Sequence, residues 1–419
     1  MLYFKHSELV NKYHVSLKTV HNWIDAAKQG KLSLELYEKG SRTYIANKPS
    51  NIETVEKLVE QGKKYRNARF HKTVTPKPEF YDIFSRRQIL DIITSLNVHG
   101  EIPRQYNYLD KGAENWDNWL NRLVQESTPN NLKSTISLID SNLASIDRLL
   151  EDRTKINVID IGVGNALPVK DLLKHLLDQG KLNRYIAIDI SQAMLDIAEK
   201  NIKSWFGDEV VFEGHIRDIG FERFDDLLVD DRLSKDADNI TNLALLLGDT
   251  PVNFRNYSDV IKGVYGSIGQ NDLFIFSGKA DTEATRQYFD FHPKRDNNEG
   301  LSPNHRFIID LLNIDESLYT VEMGYDSVHR MRYVRIRLNA PLTIDFKFED
   351  SSRKVLLDKG DTILLLRVWH MTALEVLDTH QKSGFVMLHS SMTKEHNYIL
   401  NIYTVDVKNV KGPLGSIKY

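Results

Sequence analysis

Apolar positions recur three and four residues apart through the first 150 residues, and from Ile156 they gather into short runs separated by amphipathic stretches. FKHSELVNKYH places Leu9, Val10 and Tyr13 on one helical face. LKTVHNWIDAAKQG follows, with Ser16 positioned to cap a second helix and Gly30 to end it. KLSLELYEKGSRTYIA reads as two alternating runs joined at Gly40-Ser41, a β-hairpin. Residues 52–69 predict one amphipathic helix, and HKTVTPKPEF, with Pro76 and Pro78, predicts a linker. FYDIFSRRQILDIITSL, NWDNWLNRLVQES and LKSTISLIDSNLASIDRLLED predict helices across 80–150. Beyond them, short apolar strands alternating with helices predict βαβ units and a mainly parallel sheet. The expected organisation is a first module over 1–75, a helical linker or cap over 76–150 and an α/β domain over 151–419.

Composition changes this picture little, and charge changes it more. At 419 residues the chain is long for one domain, since domains run to roughly 100–200 residues. Hydrophobic content of 41% and charged content of 27% are those of an ordinary globular protein. No stretch nears the roughly 18 consecutive apolar residues of a membrane helix. The N-terminal MLYFKHSELV has no secretory apolar core with a small-residue cleavage site, so a cytoplasmic protein without membrane partners is expected. Without cysteine there is no disulfide, thiolate nucleophile or thiolate metal site. The fourteen histidines show no HExxH spacing, and no metal is expected. His370 and His389, inside apolar runs, read as core histidines. No Gly-x-Ser-x-Gly elbow or Walker loop is present. The net charge of −3 divides unevenly: residues 1–75 hold 11 Lys and 3 Arg against 7 acids, a net of +7, leaving −10 on the remainder. A basic first segment on an acidic body is the pattern of an attached nucleic-acid module, or of a solvated basic face.

Within that segment, VSLKTVHNWI and the following GSRTYI resemble the winged helix-turn-helix of the excisionase and MerR-type DNA-binding families. The resemblance spans about 50 residues. It implies that the second helix enters the major groove, with Lys18, Thr19, His21 and Asn22 facing base edges and Arg42 a phosphate or the minor groove. Trp23 and Ile24 are expected in the small core. A unit of this kind reused for dimerisation or protein docking is the competing expectation.

The strongest chemical signal lies at INVIDIGVGNALPVKDLLKHLLDQG. A strand runs into a Gly-x-Gly turn and a helix, and RYIAIDIS follows as a second strand ending in Asp189. Gly162 and Gly164 allow a tight turn and close approach of a ligand, while the acid after strand two suits ribose hydroxyls. A dinucleotide loop places a third small residue three after Gly164, where this chain has Leu167 and Pro168. Asp160, two before the first glycine, suits the methionine ammonium of S-adenosylmethionine and would repel a pyrophosphate. Asp218, after the strand in VVFEGHIRDIGFE, stands where an adenine amino group would lie. The set Asp160, Gly162, Gly164, Asp189 and Asp218 identifies S-adenosylmethionine as the expected cofactor, with a ligand-free α/β domain or a NAD or FAD site as alternatives.

NLALLLGDTPVNF, NDLFIFSGKADTEATRQYFDFH, SPNHRFIIDLLN, HRMRYVRIRLNAPLTIDF and QKSGFVMLHSSM extend the pattern. In this order they resemble the histidine-specific Nα-methyltransferases of the ergothioneine pathway, over roughly residues 80–405. The resemblance implies a Rossmann-like class I methyltransferase sheet with a substrate subdomain inserted after strand five, about 280–400. It carries cofactor positions onto Gly162, Lys170, Asp189 and Asp218, and acceptor-orienting positions onto Asn253 and Tyr288. Tyr106 and Tyr108, in PRQYNYLDKGAENWDNW, are substrate candidates by their place before the sheet. The family's imidazole-binding glutamate is replaced by Arg335 in VRIRL, which favours a carboxylate or phosphate over a cationic ring, unless Arg335 faces away.

The expected activity is methyl transfer from S-adenosylmethionine to a small-molecule or peptide-like acceptor, most simply an amine of an amino-acid-like substrate. A DNA-binding regulator with a methyltransferase-like sensing domain and a nucleic-acid methyltransferase remain as alternatives.

Overall fold

The computed structural model describes residues 2–13, 15–40, 42–70, 72–127, 130–235, 237–248, 250–291, 294–296 and 300–405, without the side chains of 61–70, 238, 291 and 294–296. The chain forms two compact units. Unit 1 comprises Met1–Thr73, Ala340–Ile344 and Leu356–Lys359; unit 2 comprises Val74–Asn339, Asp345–Val355 and Gly360–Tyr419.

In unit 1, β1 (Tyr3–Phe4), α1 (His6–Tyr13), α2 (Leu17–Lys28), β2 (Leu36–Lys39), β3 (Arg42–Ala46) and α3 (Pro49–Phe70) follow in order. The strands pair antiparallel as β1-β3-β2. Ser16 Oγ accepts the Thr19 amide hydrogen (3.1 Å), which satisfies one of the free N–H groups at the start of α2. Just past its end Gly30 takes φ +68°, a left-handed conformation that glycine adopts without strain. Trp23 and Ile24 join Leu9, Val15, Val20, Leu34, Ile45, Val55 and Val59 in one apolar core. Ser41, in the expected hairpin turn, lies outside the described residues.

After β4 (Lys72–Val74), helices α4 (Pro78–Ile83), α5 (Arg86–His99), α6 (Lys111–Gln125) and α7 (Asn131–Leu149) precede the main sheet. Ser85 and Gln88 form a capping box at the start of α5. A 3-10 turn, Arg104–Tyr108, joins α5 to α6. α6 begins against that turn: a Cβ on Gly112 would lie 2.0 Å from the Asn107 carbonyl oxygen, so no larger residue fits there.

Strands and helices then alternate: β5 (Lys155–Ile161), α8 (Lys170–Asp178), β6 (Leu182–Asp189), α9 (Gln192–Phe206), β7 (Phe212–Ile216), α10 (Val229–Leu233), β8 (Ile240–Leu246), α11 (Tyr257–Ser267) and β9 (Leu273–Lys279). The chain leaves the sheet for α12 (Glu283–Phe291), β10 (Lys294–Asp296), α13 (Pro303–Leu311), β11 (Tyr319–Asp326), β12 (Met331–Leu338), β13 (Leu342–Lys347), β14 (Ser352–Leu357), β15 (Thr362–Trp369) and α14 (Ala373–Lys382). It returns with β16 (Val386–Met392) and β17 (Tyr398–Thr404).

The sheet runs β16-β17-β9-β8-β5-β6-β7. β7, β6, β5, β8 and β9 are parallel, while β17 is antiparallel to both β9 and β16. Strand alternation gives each face its own core. Val158, Tyr185, Ala187, Leu243 and Leu245 pack with α7, α8 and α9. Ile159, Ile161, Ile186, Ile188, Ala244 and Leu246 pack on the other face with α11 and α14. Buried on both sides, these strands read as near-continuous apolar runs, which is why they were visible in the sequence. Outside the main sheet, β10, β11, β12 and β15 form a four-stranded antiparallel sheet.

Among the described residues no helix is long and apolar enough to cross a membrane, and no cluster of three metal-ligating side chains occurs. His389 Nε2 donates a 2.7 Å hydrogen bond to Asn142 Oδ1, and burial pushes His370 down to about 4. Burial also lowers His389, which is half-buried on the edge strand β16, outside either core.

Candidate active site

A cavity of about 1170 Å³, open mouth included, lies where the segments following β5, β6, β7 and β8 converge. Open α/β sheets bind ligands at the carboxyl ends of their strands, at the point where strand order reverses. β5 is that point here, flanked by β6 and β8. One half of the lining is the loop Gly162–Asn165 with Pro168, then Asp189, Ile190, Met194, Asp218, Gly248 and Thr250. The other half comes from the 3-10 turn and the helices beyond it: Arg104, Gln105, Tyr108, Trp116, Trp119, Leu120, Leu123, Asn131, Leu132 and Thr135. Asn253 and Phe254 close the space between them.

The glycine turn has the geometry of a ligand cradle. Gly162 and Gly164 adopt φ +73° and +55°, which residues with a Cβ enter only under strain. The Gly162 and Val163 amides bond back to the Ile188 carbonyl at 2.8 and 3.2 Å, pinning the turn to the end of β6. A Cβ at Gly164 would meet nothing nearer than the Trp116 indole nitrogen at 3.7 Å, so the turn faces open space. The position that lacks a third glycine has a structural reason. Leu167 packs against the buried cluster of Leu120, Leu123 and Leu132 from α6 and α7, as do Trp116, Trp119 and Ile136. The turn thereby forms part of the chamber wall.

Asp189 sits at the end of β6, and one carboxylate oxygen accepts the Ser191 amide at 3.1 Å. Burial pushes its carboxyl up to about 6. Asp218 accepts the Gly220 amide at 3.0 Å and is likewise raised by burial, with backbone and Gln105 hydrogen bonds opposing. Asp160 departs from the expected contact with a ligand ammonium. It is buried, takes a 2.7 Å hydrogen bond from the Tyr185 hydroxyl, does not line the cavity, and is raised by burial to about 7. Strand parity explains this: Asp160 shares a face with Val158, over which Tyr185 also packs. Lys170, first residue of α8, places its ammonium 5.1 Å from the centre of the Trp205 ring and also lies outside the lining.

The substrate candidates separate in the same way. Tyr108 and Asn253 line the cavity. Tyr106 points the other way, its hydroxyl donating to Asp91 at 2.8 Å. Tyr288, on α12, is 47% exposed and outside the lining. Arg335 lies on β12 of the four-stranded sheet, outside the lining, and its charge is matched there. It donates to Glu322 at 2.8 Å from the neighbouring strand, and Arg337 does so at 2.7 Å, holding Glu322 down at about 2. Sequence reasoning missed Arg104, Gln105, Trp116, Trp119, Asn131 and Thr135. The Trp116–Trp119 spacing puts both indoles on one face of α6, with ring centres 4.6 Å apart. That spacing was the available signal.

A glycine turn at the switch point, an acid at the end of the second strand and a 3-2-1-4-5-7-6 sheet order form the crevice of a nucleotide-binding type of α/β sheet. The family model described as histidine-specific methyltransferase, SAM-dependent, matches residues 86–405. The chain belongs to that family, and it is an S-adenosylmethionine-dependent methyltransferase. No curated protein matches the chain. Solved structures that resemble it include an S-adenosylmethionine-dependent methyltransferase from Clostridium acetobutylicum ATCC 824 at 11% identity, covering 70% of this chain and 98% of that one with a TM-score of 0.39. Another is the magnesium protoporphyrin IX methyltransferase from Synechocystis PCC 6803 with bound S-adenosylhomocysteine, at 10% identity, 72% and 97% coverage and a TM-score of 0.37. The CcbJ methyltransferase from Streptomyces caelestis is similar at 11% identity, with 67% and 100% coverage and a TM-score of 0.36.

Proposed function

We propose that this enzyme methylates the amine nitrogen of a small, amino-acid-like acceptor held between the glycine turn and the Trp116–Trp119 wall. The observation that carries the reading is a single cavity lined on one side by Gly162, Gly164, Asp189 and Asp218 and on the other by Asn253 and Tyr108. When bound, S-adenosylmethionine supplies a methyl group already activated by its sulfonium. Asp189 would accept ribose hydroxyls and Asp218 would accept from the adenine amino group. Asn253 orients the acceptor through one donor and one acceptor group, and Tyr108 offers a phenol beside it. The indoles exclude water, which strips the solvation from the attacking lone pair. A neutral amine needs alignment and desolvation more than a strong base, so this neutral polar set suffices. The arrangement also assigns no contact to Tyr106, Tyr288 or Arg335.

Incubation with radiolabelled S-adenosylmethionine and separate pools of amino acids, peptides and DNA tests this reading. Label is expected in the amino-acid pool; label confined to DNA or to long peptides would overturn it. Asn253→Ala is expected to lower kcat/KM about tenfold, the cost of one hydrogen bond made in the transition state, while leaving S-adenosylhomocysteine affinity unchanged. An equal loss of cofactor affinity would remove Asn253 from the acceptor side.

A second reading concerns unit 1. Lys18, His21 and Asn22 are exposed along α2, and Arg42 is exposed where β3 begins. Thr19 is half-buried, its hydroxyl 2.8 Å from that of Ser16, and so serves the helix cap. We propose that this face contacts the backbone of duplex DNA. The full chain should retard random duplex in a salt-dependent way, with Lys18→Ala and Arg42→Ala each reducing the salt slope by about 1. Retardation indifferent to salt, or none at all, would sink it.

A further inference from the structure

We infer that Arg104 anchors a carboxylate on the methyl acceptor, and so selects an amino acid with a large apolar side chain. This deepens, and rests on, the methyltransferase reading above.

The residue occupies a junction. Arg104 opens the 3-10 turn between α5 and α6 and lines both the main cavity and an adjoining hollow bounded by Glu101, Asp91, Arg255 and Arg367. Gln105, Asn253 and Phe254 line both spaces as well. The guanidinium carbon stands 5.1 Å from the centre of the Tyr108 ring. Its Nε and Nη1 are buried without a hydrogen-bond partner.

That condition sets Arg104 apart from the arginines around it. Arg217 is paired with Asp226 at 2.8 Å. Arg255 and Arg367 both grip Glu101. The nearby Asp91 takes the Tyr106 hydroxyl. A guanidinium stays charged at any ordinary pH, and buried donors without an acceptor are costly. Such a group is satisfied by water, an ion or a ligand that supplies the acceptor. A carboxylate does so directly, through charge-assisted hydrogen bonds. His305, also beside Arg104, cannot substitute: burial, with Arg104 and Arg332 adding to it, pushes it down to about 3, so it stays neutral.

The rest of the chamber specifies what the carboxylate is attached to. Trp116, Trp119, Leu120, Leu123 and Leu132 form one apolar cluster in the cavity lining, and Asn253 belongs to the same lining. A molecule with its carboxylate on Arg104, its amine near Asn253 and its side chain on the indoles matches all three surfaces.

The test uses the full chain preloaded with S-adenosylhomocysteine and calorimetric titration with L-phenylalanine, L-tyrosine, L-tryptophan and L-leucine, each beside its primary amide. The amide keeps the amine and side chain and removes only the negative charge. Wild-type protein is expected to bind at least one free acid about tenfold or more tighter than its amide. Arg104→Gln should erase that difference while keeping S-adenosylhomocysteine affinity, and Arg104→Lys should keep part of it. Retained cofactor affinity shows that each variant has folded. Equal binding of acid and amide, an undiminished preference in Arg104→Gln, or binding of none of the acids would overturn the inference and leave the cofactor site standing. Failure of wild-type protein to bind S-adenosylhomocysteine would overturn the underlying reading instead, and this inference with it.

Discussion

Asp189→Asn is expected to weaken S-adenosylhomocysteine binding by about ten- to a hundredfold in calorimetry, with the melting temperature little changed. Asp189 ends β6 beside the glycine turn and faces the cavity. Its carboxylate accepts the Ser191 amide at 3.1 Å and is also bonded by the Gly164 and Ile190 amides, so a ligand takes the acceptor capacity left over. Removing the charge weakens a charge-assisted hydrogen bond worth about 1.5–3 kcal/mol, which converts to that range of affinity. A pH dependence follows from the same carboxyl. Burial raises it to about 6, so below that pH it carries a proton and loses acceptor capacity. Binding to wild-type protein should therefore strengthen as pH rises from 5 to 7.5, and binding to Asp189→Asn should stay flat across that window. A variant as tight as wild type, or one with the same pH profile, would mean that Asp189 does not contact the ligand.

The largest loss of stability is expected from Glu101→Ala, about 3–5 kcal/mol in chemical denaturation. The Glu101 side chain is 7% exposed and is held by both Arg255 and Arg367, the latter 12% exposed. Deleting the acid leaves two guanidinium groups facing each other without a counter-charge. Burial already lowers Arg367, and Arg255 adds to that push. Glu101 also belongs to the segment that clips onto β15, where the Leu364 amide bonds to Gly100 and the Ile102 amide to Leu364, at 2.8 and 3.0 Å. Two residues further on stands Arg104. Glu101→Gln, which keeps oxygen acceptors, should lose roughly half as much. A Glu101→Ala protein within 0.5 kcal/mol of wild type would show, at about the size of an ordinary surface substitution, that the network is inert.

The parts of this enzyme legible in the sequence are those set by neighbours in the chain. The parallel strands announced themselves because burial on both faces demands runs such as INVIDI and NLALLL. The glycine turn and Asp189 were legible because a backbone cradle and an acid at a strand end are local features. What escaped depends on register and facing. Glu322 and Arg335 are direct cross-strand partners, a fact fixed by the pairing of β11 with β12 and absent from either strand alone. The acceptor wall was hidden for a different reason. An apolar helical face reads the same whether it covers a core or a cavity, so the spacing of Trp116 and Trp119 carried no mark of the cavity. Asp160 matched a pattern of spacing, yet strand parity turned it toward Tyr185.

The route of the chain through the main sheet has a consequence for how the molecule is made. β9 needs β17 as its neighbour, but about a hundred residues of insertion and one further strand are synthesised between them. At roughly 5–20 residues per second, the open flank of β9 waits for several seconds on the ribosome with unpaired backbone groups, beside Phe274 and Phe276. Nascent chains are therefore most vulnerable to strand-to-strand aggregation in this interval. The parallel half of the sheet, with the glycine turn, can assemble long before the edge is sealed.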